Sequence, residues 1–429
     1  MPNKRQTLTL DPNHDNLPPV TRRLFLGNTF RAPRIARYGY SFAGWYEDPA
    51  CTRPLTDAQI LAFEGPLYAG WTPWDDSEKA ATDAFLKETR EAKFITSRAP
   101  LYTPETFVPY YIKAIPLLFH VEASAQPVDD NVMQIVEEVR ALRAKLQLAV
   151  PDPEQAVWYI WGDQMPEAAN ADRYDFYYQF DYPEFRPFLL PYLLPDQTAV
   201  KGNILVVAGG GFAQRYNQNE GYPIAEAFNR MGYNAFILQR RVAPWEPIDS
   251  SLDLQRSIRY LRHHAKQYGI GAIDHIAPVG FSGGGATIIG MIERCYGRIT
   301  PDAIHKGYVP DEIDRLDGDC EAAMIVYGAF GTLHRGNPNV PSLFIVVGAK
   351  DDLAFHSTLE FTDSLGDDIV TELHVFADAK HGFGTGTGLG AQHPMQVTAG
   401  ADEWLHLADR FLEVEFGLKP RFTDFVETK

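Results

Sequence analysis

The chain is poor in cysteine, short of basic charge and free of long apolar runs, and each shortage excludes a class of function. Cysteine occurs only at positions 51, 295 and 320 of 429, and no two fall in a C-x-x-C pair. That spacing offers neither a zinc site nor a disulfide framework, so no metal is expected and a reducing, cytoplasmic compartment is the simpler setting. Lys and Arg number 39 against 56 Asp and Glu, a formal charge of −17. Phosphate backbones are bound by basic surface, so nucleic acid is not an expected partner. No run approaches the length of a membrane span, and Met1 to Leu10 lack the apolar stretch of a secretory signal. An acidic surface fits a small neutral or cationic ligand, although solubility explains it equally well. Self-association into a homo-oligomer stays open.

What is present is ordinary for a globular chain with a large core: 45% of residues are apolar. The length predicts more than one domain. Aromatic residues reach 13%, with a cluster at Tyr174, Phe176, Tyr177, Tyr178, Phe180 and Tyr182 that reads as packing or a pocket wall.

Three regions separate by texture. Residues 6–74 are rich in turns, with strand patterns at 7–10, 39–46 and 67–71. Gly39-Tyr40-Ser41-Phe42-Ala43-Gly44-Trp45-Tyr46, then Asp48-Pro49-Ala50-Cys51 and Leu67-Tyr68-Ala69-Gly70-Trp71-Thr72, resemble the Listeria–Bacteroides repeat of internalin-type surface proteins. The resemblance implies a small β-grasp-like module and leaves surface association open beside a cytoplasmic setting.

Residues 75–172 read as a helical linker or lid. A helix over 78–92 follows the N-cap candidates Asp75-Asp76-Ser77. A second follows Asp129-Asp130, where Val132, Ile135, Val136, Val139, Leu142 and Leu146 recur at helical spacing. Between them, 101–120 carries Pro104, Pro109 and Pro116, which predicts loop or interrupted extended chain.

Residues 173–429 alternate strands (186–194, 203–208, 234–238, 275–279, 322–326, 343–347, 371–376) with helices (220–231, 252–267, one opening at 284, one near 357–365, and 401–414). Apolar strands alternating with helices predict an α/β class: a doubly wound, mostly parallel sheet covered on both faces.

Gly280-Phe281-Ser282-Gly283-Gly284 is a G-x-S-x-G pentapeptide between a strand pattern and a helix pattern. A turn that tight tolerates only small neighbours and lifts the serine hydroxyl above the sheet edge. The plainer reading is a glycine-rich turn with an incidental serine. A serine nucleophile needs a base, and the base an orienting carboxylate. His381 follows the last strand and Asp351 follows the strand over 343–347, so the chain order is Ser282, Asp351, His381, that of α/β-hydrolases. Each has a duller alternative. His381 could be a loop histidine, and Asp351 or Asp352 could cap the next helix; Asp351 is preferred for its place three residues after Gly348.

The strand over 203–208 runs into Gly209-Gly210-Gly211-Phe212. Glycines let backbone N–H groups face a developing negative charge, so Gly209, Gly210 and Gly283 are the expected oxyanion donors. The run lacks G-x-G-x-x-G spacing and a following G-K-[ST], which disfavours a nucleotide, and no cofactor is expected.

Taken in order, the Gly209–Phe212 run, Glu220-Gly221, Arg241-Val242-Ala243-Pro244, Asp253-Leu254-Gln255-Arg256, the serine pentapeptide and His381-Gly382-Phe383-Gly384 resemble acetyl esterases. The family is the acetyl-xylan-esterase-like or endo-xylanase B-like group, related to the hormone-sensitive-lipase group, and the likeness spans 200–412. It implies Ser282 as nucleophile, His381 as base then acid, Asp351 as orienting carboxylate, and a small-molecule ester substrate such as an acylated carbohydrate. Glu220 and Arg241 also match the family pattern, with a structural ion pair as the expected role. The family usually has Ala where Gly283 stands. Two other functions stay open: a serine peptidase or amidase with the same triad, and a binding protein whose hydrolase domain is degenerate.

Overall fold

The computed structural model describes residues 6–14, 19–24, 35, 37–119, 127–162, 164–166, 181, 185–243, 245–334, 337, 340–387 and 400–421. The aromatic cluster between Tyr174 and Tyr182 lies outside them. The chain divides into two compact units: Met1–Thr96, Thr103–Gln147 and Asn170–Phe180 form one, and Ser97–Tyr102, Leu148–Ala169 and Asp181–Lys429 the other.

The first unit holds a small β module and three helices. Its strands are β1 (Gln6–Asp11), β2 (Val20–Leu24), β3 (Tyr40–Tyr46), β4 (Pro54–Leu55) and β5 (Leu67–Pro73), with helix α1 (Asp57–Ala62) before β5. They form one sheet in the order β2-β1-β5-β3-β4, in which β1 and β5 run parallel and the other pairs antiparallel. Leu8, Leu10, Trp45, Ile60, Leu67 and Ala69 make its core. Thr56 caps α1, and Gln59 reciprocates by accepting from the Thr56 N–H.

The helices are α2 (Asp76–Thr96), α3 (Pro104–Phe119) and α4 (Asp130–Arg143). Asp75 caps α2 by accepting from the Glu78 N–H at 2.8 Å, and Glu78 accepts from the Asp75 N–H in return. Asp129 caps α4 through the Val132 N–H. The three helices pack on one another. The buried Glu88 carboxylate of α2 takes a two-bond fork from Arg143 of α4, at 2.8 and 3.1 Å.

Helix α3 overturns the expectation of a loop over 101–120. Pro104 sits at its first position, where no backbone donor is needed, but Pro109 and Pro116 lie inside it. Each should cost a helix about 3 kcal/mol or more. Phe107, Tyr110, Tyr111, Ala114 and Leu117 recur at helical spacing and are all buried, whereas both prolines are on the exposed side. Burial of five such side chains at roughly 1.5–3 kcal/mol for each large one outweighs two lost hydrogen bonds.

The second unit is built on an eight-stranded sheet. Its strands are β6 (Trp158–Tyr159), β7 (Phe188–Tyr192), β8 (Asn203–Val207), β9 (Asn234–Gln239), β10 (Ile276–Phe281), β11 (Ala322–Val326), β12 (Ser342–Gly348) and β13 (Thr371–Phe376). The order is β13-β12-β11-β10-β8-β9-β7-β6. Every pair from β13 to β9 is parallel, and β7 and β6 add antiparallel at the β9 side.

Helices cover both faces, as the unbroken apolar strands require. They are α5 (Asn217–Glu220), α6 (Tyr222–Arg230), α7 (Pro247–Tyr268), α8 (Gly283–Arg294), α9 (Phe355–Ser364) and α10 (Trp404–Glu415). Along β8, Ile204 and Val206 join a core with Phe228 of α6 and Phe411 of α10. Leu205 and Val207 join the opposite core with Leu252 of α7 and Ile288 of α8. This is the doubly wound α/β sheet that the sequence predicts. Three elements differ in detail: the expected helix over 220–231 breaks at Gly221 into α5 and α6, the closing helix begins with a 3-10 turn at Ala401–Glu403, and β6 comes from the stretch 75–172 expected to be a helical linker.

The chain leaves β8 for β9 on one side and returns to β10 on the other. The C-terminal ends of β8 and β10 therefore frame a switch point, where loops from neighbouring strands part and leave a crevice.

Candidate active site

Strand β10 stays buried through Phe281, and the chain then reverses into α8 within one residue. Ser282 is that residue, at φ 48° and ψ −118°, a strained setting for a side chain with a Cβ. Such backbones cost about 1–3 kcal/mol and persist only where neighbours hold them. Here the Ser282 N–H donates to the Val326 carbonyl at 3.1 Å, and the Ser282 carbonyl accepts from the Gly285 N–H at 2.9 Å. Gly284 is required by close approach, because any Cβ there would run into the Val207 carbonyl.

His381 follows β13 and its Nε2 lies 2.9 Å from the Ser282 Oγ. Its Nδ1 lies 2.8 Å from Oδ2 of Asp351, which follows β12 and is fully buried at the side chain. Asp351 Oδ1 accepts from the N–H groups of Leu353 at 3.0 Å and Ala354 at 2.9 Å, ahead of α9. One carboxylate thus engages the imidazole and anchors the start of the next helix, the two roles that the sequence left as alternatives. Asp352 makes neither contact. The loop bearing His381 is itself held, since Trp404 Nε1–H of α10 donates to the Gly384 carbonyl at 3.0 Å.

The glycine run after β8 lies against the serine turn, and here one expectation is corrected. The Gly209 N–H donates to Glu220 Oε2 at 2.8 Å, so it is not available to a substrate oxygen. Gly210 and Gly283 keep amides with no protein acceptor among the described residues, as does Gly211, which the sequence reading passed over. A Cβ at position 283 would stand 3.1 Å from the Gly211 nitrogen and 3.4 Å from that of Phe212. The absence of a side chain at 283 lets those amides approach the serine turn. Three consecutive glycines look alike in sequence, and only the loop path separates their amides.

Glu220 and Arg241 do not form the ion pair expected of them. Arg241 is buried with Asp253, Nη2 to Oδ1 at 2.7 Å, and with Asp249 at 3.5 Å. The other Glu220 oxygen, Oε1, accepts from the Tyr327 hydroxyl at 2.9 Å. Burial pushes the Glu220 carboxyl above its usual range, against the pull of Tyr327, Gly209, His381 and Arg240. Tyr327 was missed. Its signal was its position, the first residue past the apolar run 322–326 and so at a strand end beside the serine.

A strained serine between strand and helix, a histidine past the last strand, and an acid between them in chain order are the features of an α/β-hydrolase fold. No protein-family model matches the chain, and no curated protein matches it. Solved structures similar to it include the acetyl ester-xyloside bifunctional hydrolase of Caldicellulosiruptor lactoaceticus, at 21% identity and TM-score 0.47, covering 60% of this chain and 95% of that one. A thermophilic esterase of Thermogutta terrifontis with bound propionate shares 21% identity at TM-score 0.42, over 56% and 93% of the two chains. A carboxylesterase of Lactobacillus plantarum shares 18% at TM-score 0.42, over 55% and 94%. Likenesses this low carry no argument about chemistry, and the fold stands on its own strand order and serine turn. Among the described residues, no group of His, Cys, Asp and Glu is arranged to hold a metal ion, and no helix is long and apolar enough to cross a membrane.

Proposed function

We propose that this protein is a serine carboxylic-ester hydrolase that cleaves short acyl esters, acetyl-like in size, through an acyl-enzyme on Ser282. The observation that supports this most is the hydrogen-bonded series Asp351–His381–Ser282, at 2.8 and 2.9 Å, ending on a strained serine beside amides that have no protein acceptor among the described residues. His381 takes the Ser282 proton as the hydroxyl attacks the carbonyl. Asp351 holds Nδ1 protonated, so that Nε2 is the acceptor. The amides of Gly210, Gly211 and Gly283 receive the charge on the tetrahedral oxygen, each worth roughly 3 kcal/mol of transition-state stabilisation. His381 then returns the proton to the leaving alcohol, and water attacking by the same route frees the acid.

An acylated carbohydrate is the substrate class suggested by the acetyl-esterase resemblance over 200–412. The small sheet of the first unit is the segment that resembles a Listeria–Bacteroides repeat. A short-chain nitrophenyl ester tests the reaction: Ser282→Ala should abolish turnover and keep the thermal transition. Equal turnover by the variant would remove the proposal. Parallel assays on aminoacyl amides separate an esterase from a peptidase acting through the same residues.

A further inference from the structure

Tyr327 and Glu220 connect two loops that the proposed chemistry needs in register. Glu220 ends α5, and its two carboxylate oxygens each take one donor: Oε2 the Gly209 N–H at 2.8 Å, Oε1 the Tyr327 hydroxyl at 2.9 Å. The Tyr327 oxygen in turn accepts from the Gly384 N–H at 3.0 Å. The connection therefore runs from the glycine loop after β8, through a buried carboxylate and a buried phenol, into the loop that carries His381. The Tyr327 ring also stands edge-on to the His381 imidazole, with centroids 5.0 Å apart, and to Phe383 at 4.7 Å. Tyr327 itself is at φ 39°, an uncommon backbone for a non-glycine residue, and its N–H is held by the Val346 carbonyl at 2.7 Å.

Burying a carboxylate is costly unless every oxygen is satisfied. A core needing only packing would place an apolar residue here. What this pair supplies instead is direction. The carboxyl holds the Gly209 amide, and the two glycine amides that follow it have no protein acceptor among the described residues.

We propose that Glu220 and Tyr327 form a single positioning unit that sets the oxyanion loop and the His381 loop relative to Ser282. The proposal rests on the serine-hydrolase reading above. Both residues are positioning residues, because their hydrogen bonds go to Gly209, Gly384 and each other and not to Ser282, and misplacement of reacting groups by an ångström or less lowers a rate steeply.

The test uses the full chain with Glu220→Gln, Tyr327→Phe and the double variant, read by ester kcat and KM, by the rate of fluorophosphonate labelling, and by thermal unfolding. Tyr327→Phe keeps the ring on His381 and removes only the hydroxyl. Each single variant should lose about ten-fold or more in kcat and in labelling rate, with KM changed by less than about three-fold. The double variant should be no slower than the worse single by more than about two-fold, since breaking one connection twice adds little. Fully multiplicative losses would overturn the single unit, as would singles that keep wild-type kcat. A lowered melting temperature with unchanged kcat and labelling would leave the pair a purely structural contact, and the proposal would fail. Wild-type protein that neither turns over ester nor takes the fluorophosphonate on Ser282 would instead remove the underlying enzyme reading, and this inference with it.

Discussion

Asp351 carries two jobs in the structure, and two substitutions separate them. In Asp351→Asn the amide oxygen can still accept from Leu353 and Ala354, now at 3.0 and 2.9 Å, so the start of α9 is kept. The amide nitrogen then faces His381 Nδ1, where a carboxylate oxygen stood at 2.8 Å. A donor there demands an unprotonated Nδ1, which puts the proton on Nε2 and leaves nothing to accept from Ser282. Wrong-tautomer substitutions in such triads lower kcat by about 10⁴, equivalent to roughly 5.5 kcal/mol of barrier. Stability should change little, because Asn serves a helix start about as well as Asp. Asp351→Ala should lose the activity and, in addition, about 0.5–2 kcal/mol of folding stability with the lost anchor. The assay pairs nitrophenyl-ester turnover with chemical denaturation of each variant. Asn at 351 with turnover within ten-fold of wild type would show that the carboxylate serves only the helix, and the triad argument would fail.

Other outcomes follow from elements away from the serine. Arg241→Met should destabilise the second unit by about 3–5 kcal/mol, because it leaves the buried Asp253 without its cation; denaturant midpoints check this, and a loss below about 1 kcal/mol would refute it. Pro109→Ala should raise stability by about 1–3 kcal/mol, since the residue lies exposed inside α3 and Ala restores a helix donor; a lowered midpoint would count against that reading. Asp311 gives a pH signature. Burial raises its carboxyl, but hydrogen bonds from the Arg256 guanidinium outweigh this and hold it at about 2. A carboxyl lowered on folding contributes stability above its unfolded range and loses it as pH falls through the folded value. The melting-temperature gap between wild type and Asp311→Asn should therefore be full at neutral pH and close as pH falls from about 4 toward 2. A gap that does not narrow would refute the assignment.

The second unit was the more legible part of this chain. Its central strands are buried on both faces, so nearly every residue in 203–207, 322–326 and 343–347 is apolar, and the helices between them carry their own periodic stripes. The serine turn was legible for a different reason: reversing a strand into a helix within one residue admits few residues beside the serine, and the glycines mark it. Asp351 and His381 could be named because each lies within five residues of a strand end and together with Ser282 they follow the chain order of α/β-hydrolases.

Local signals mislead where tertiary packing decides the outcome. Pro109 and Pro116 argue against helix by local chemistry, yet the spacing of Phe107, Tyr110, Tyr111 and Ala114 was helical and burial decided in its favour. The choice among Gly209, Gly210 and Gly211 depended on a carboxylate eleven residues further on that claims the first amide.

Residue order alone was enough for the α/β class, the covering of both sheet faces and the identity of three polar residues at strand ends, because periodicity and turn chemistry act over a few neighbours. Whether those three meet within hydrogen-bond reach, which glycine amide is claimed by a carboxylate, and that Glu220 bonds to Tyr327 instead of an arginine were settled only when distant segments packed. Each depends on directions and distances between parts of the chain up to 107 residues apart, and no local pattern encodes them.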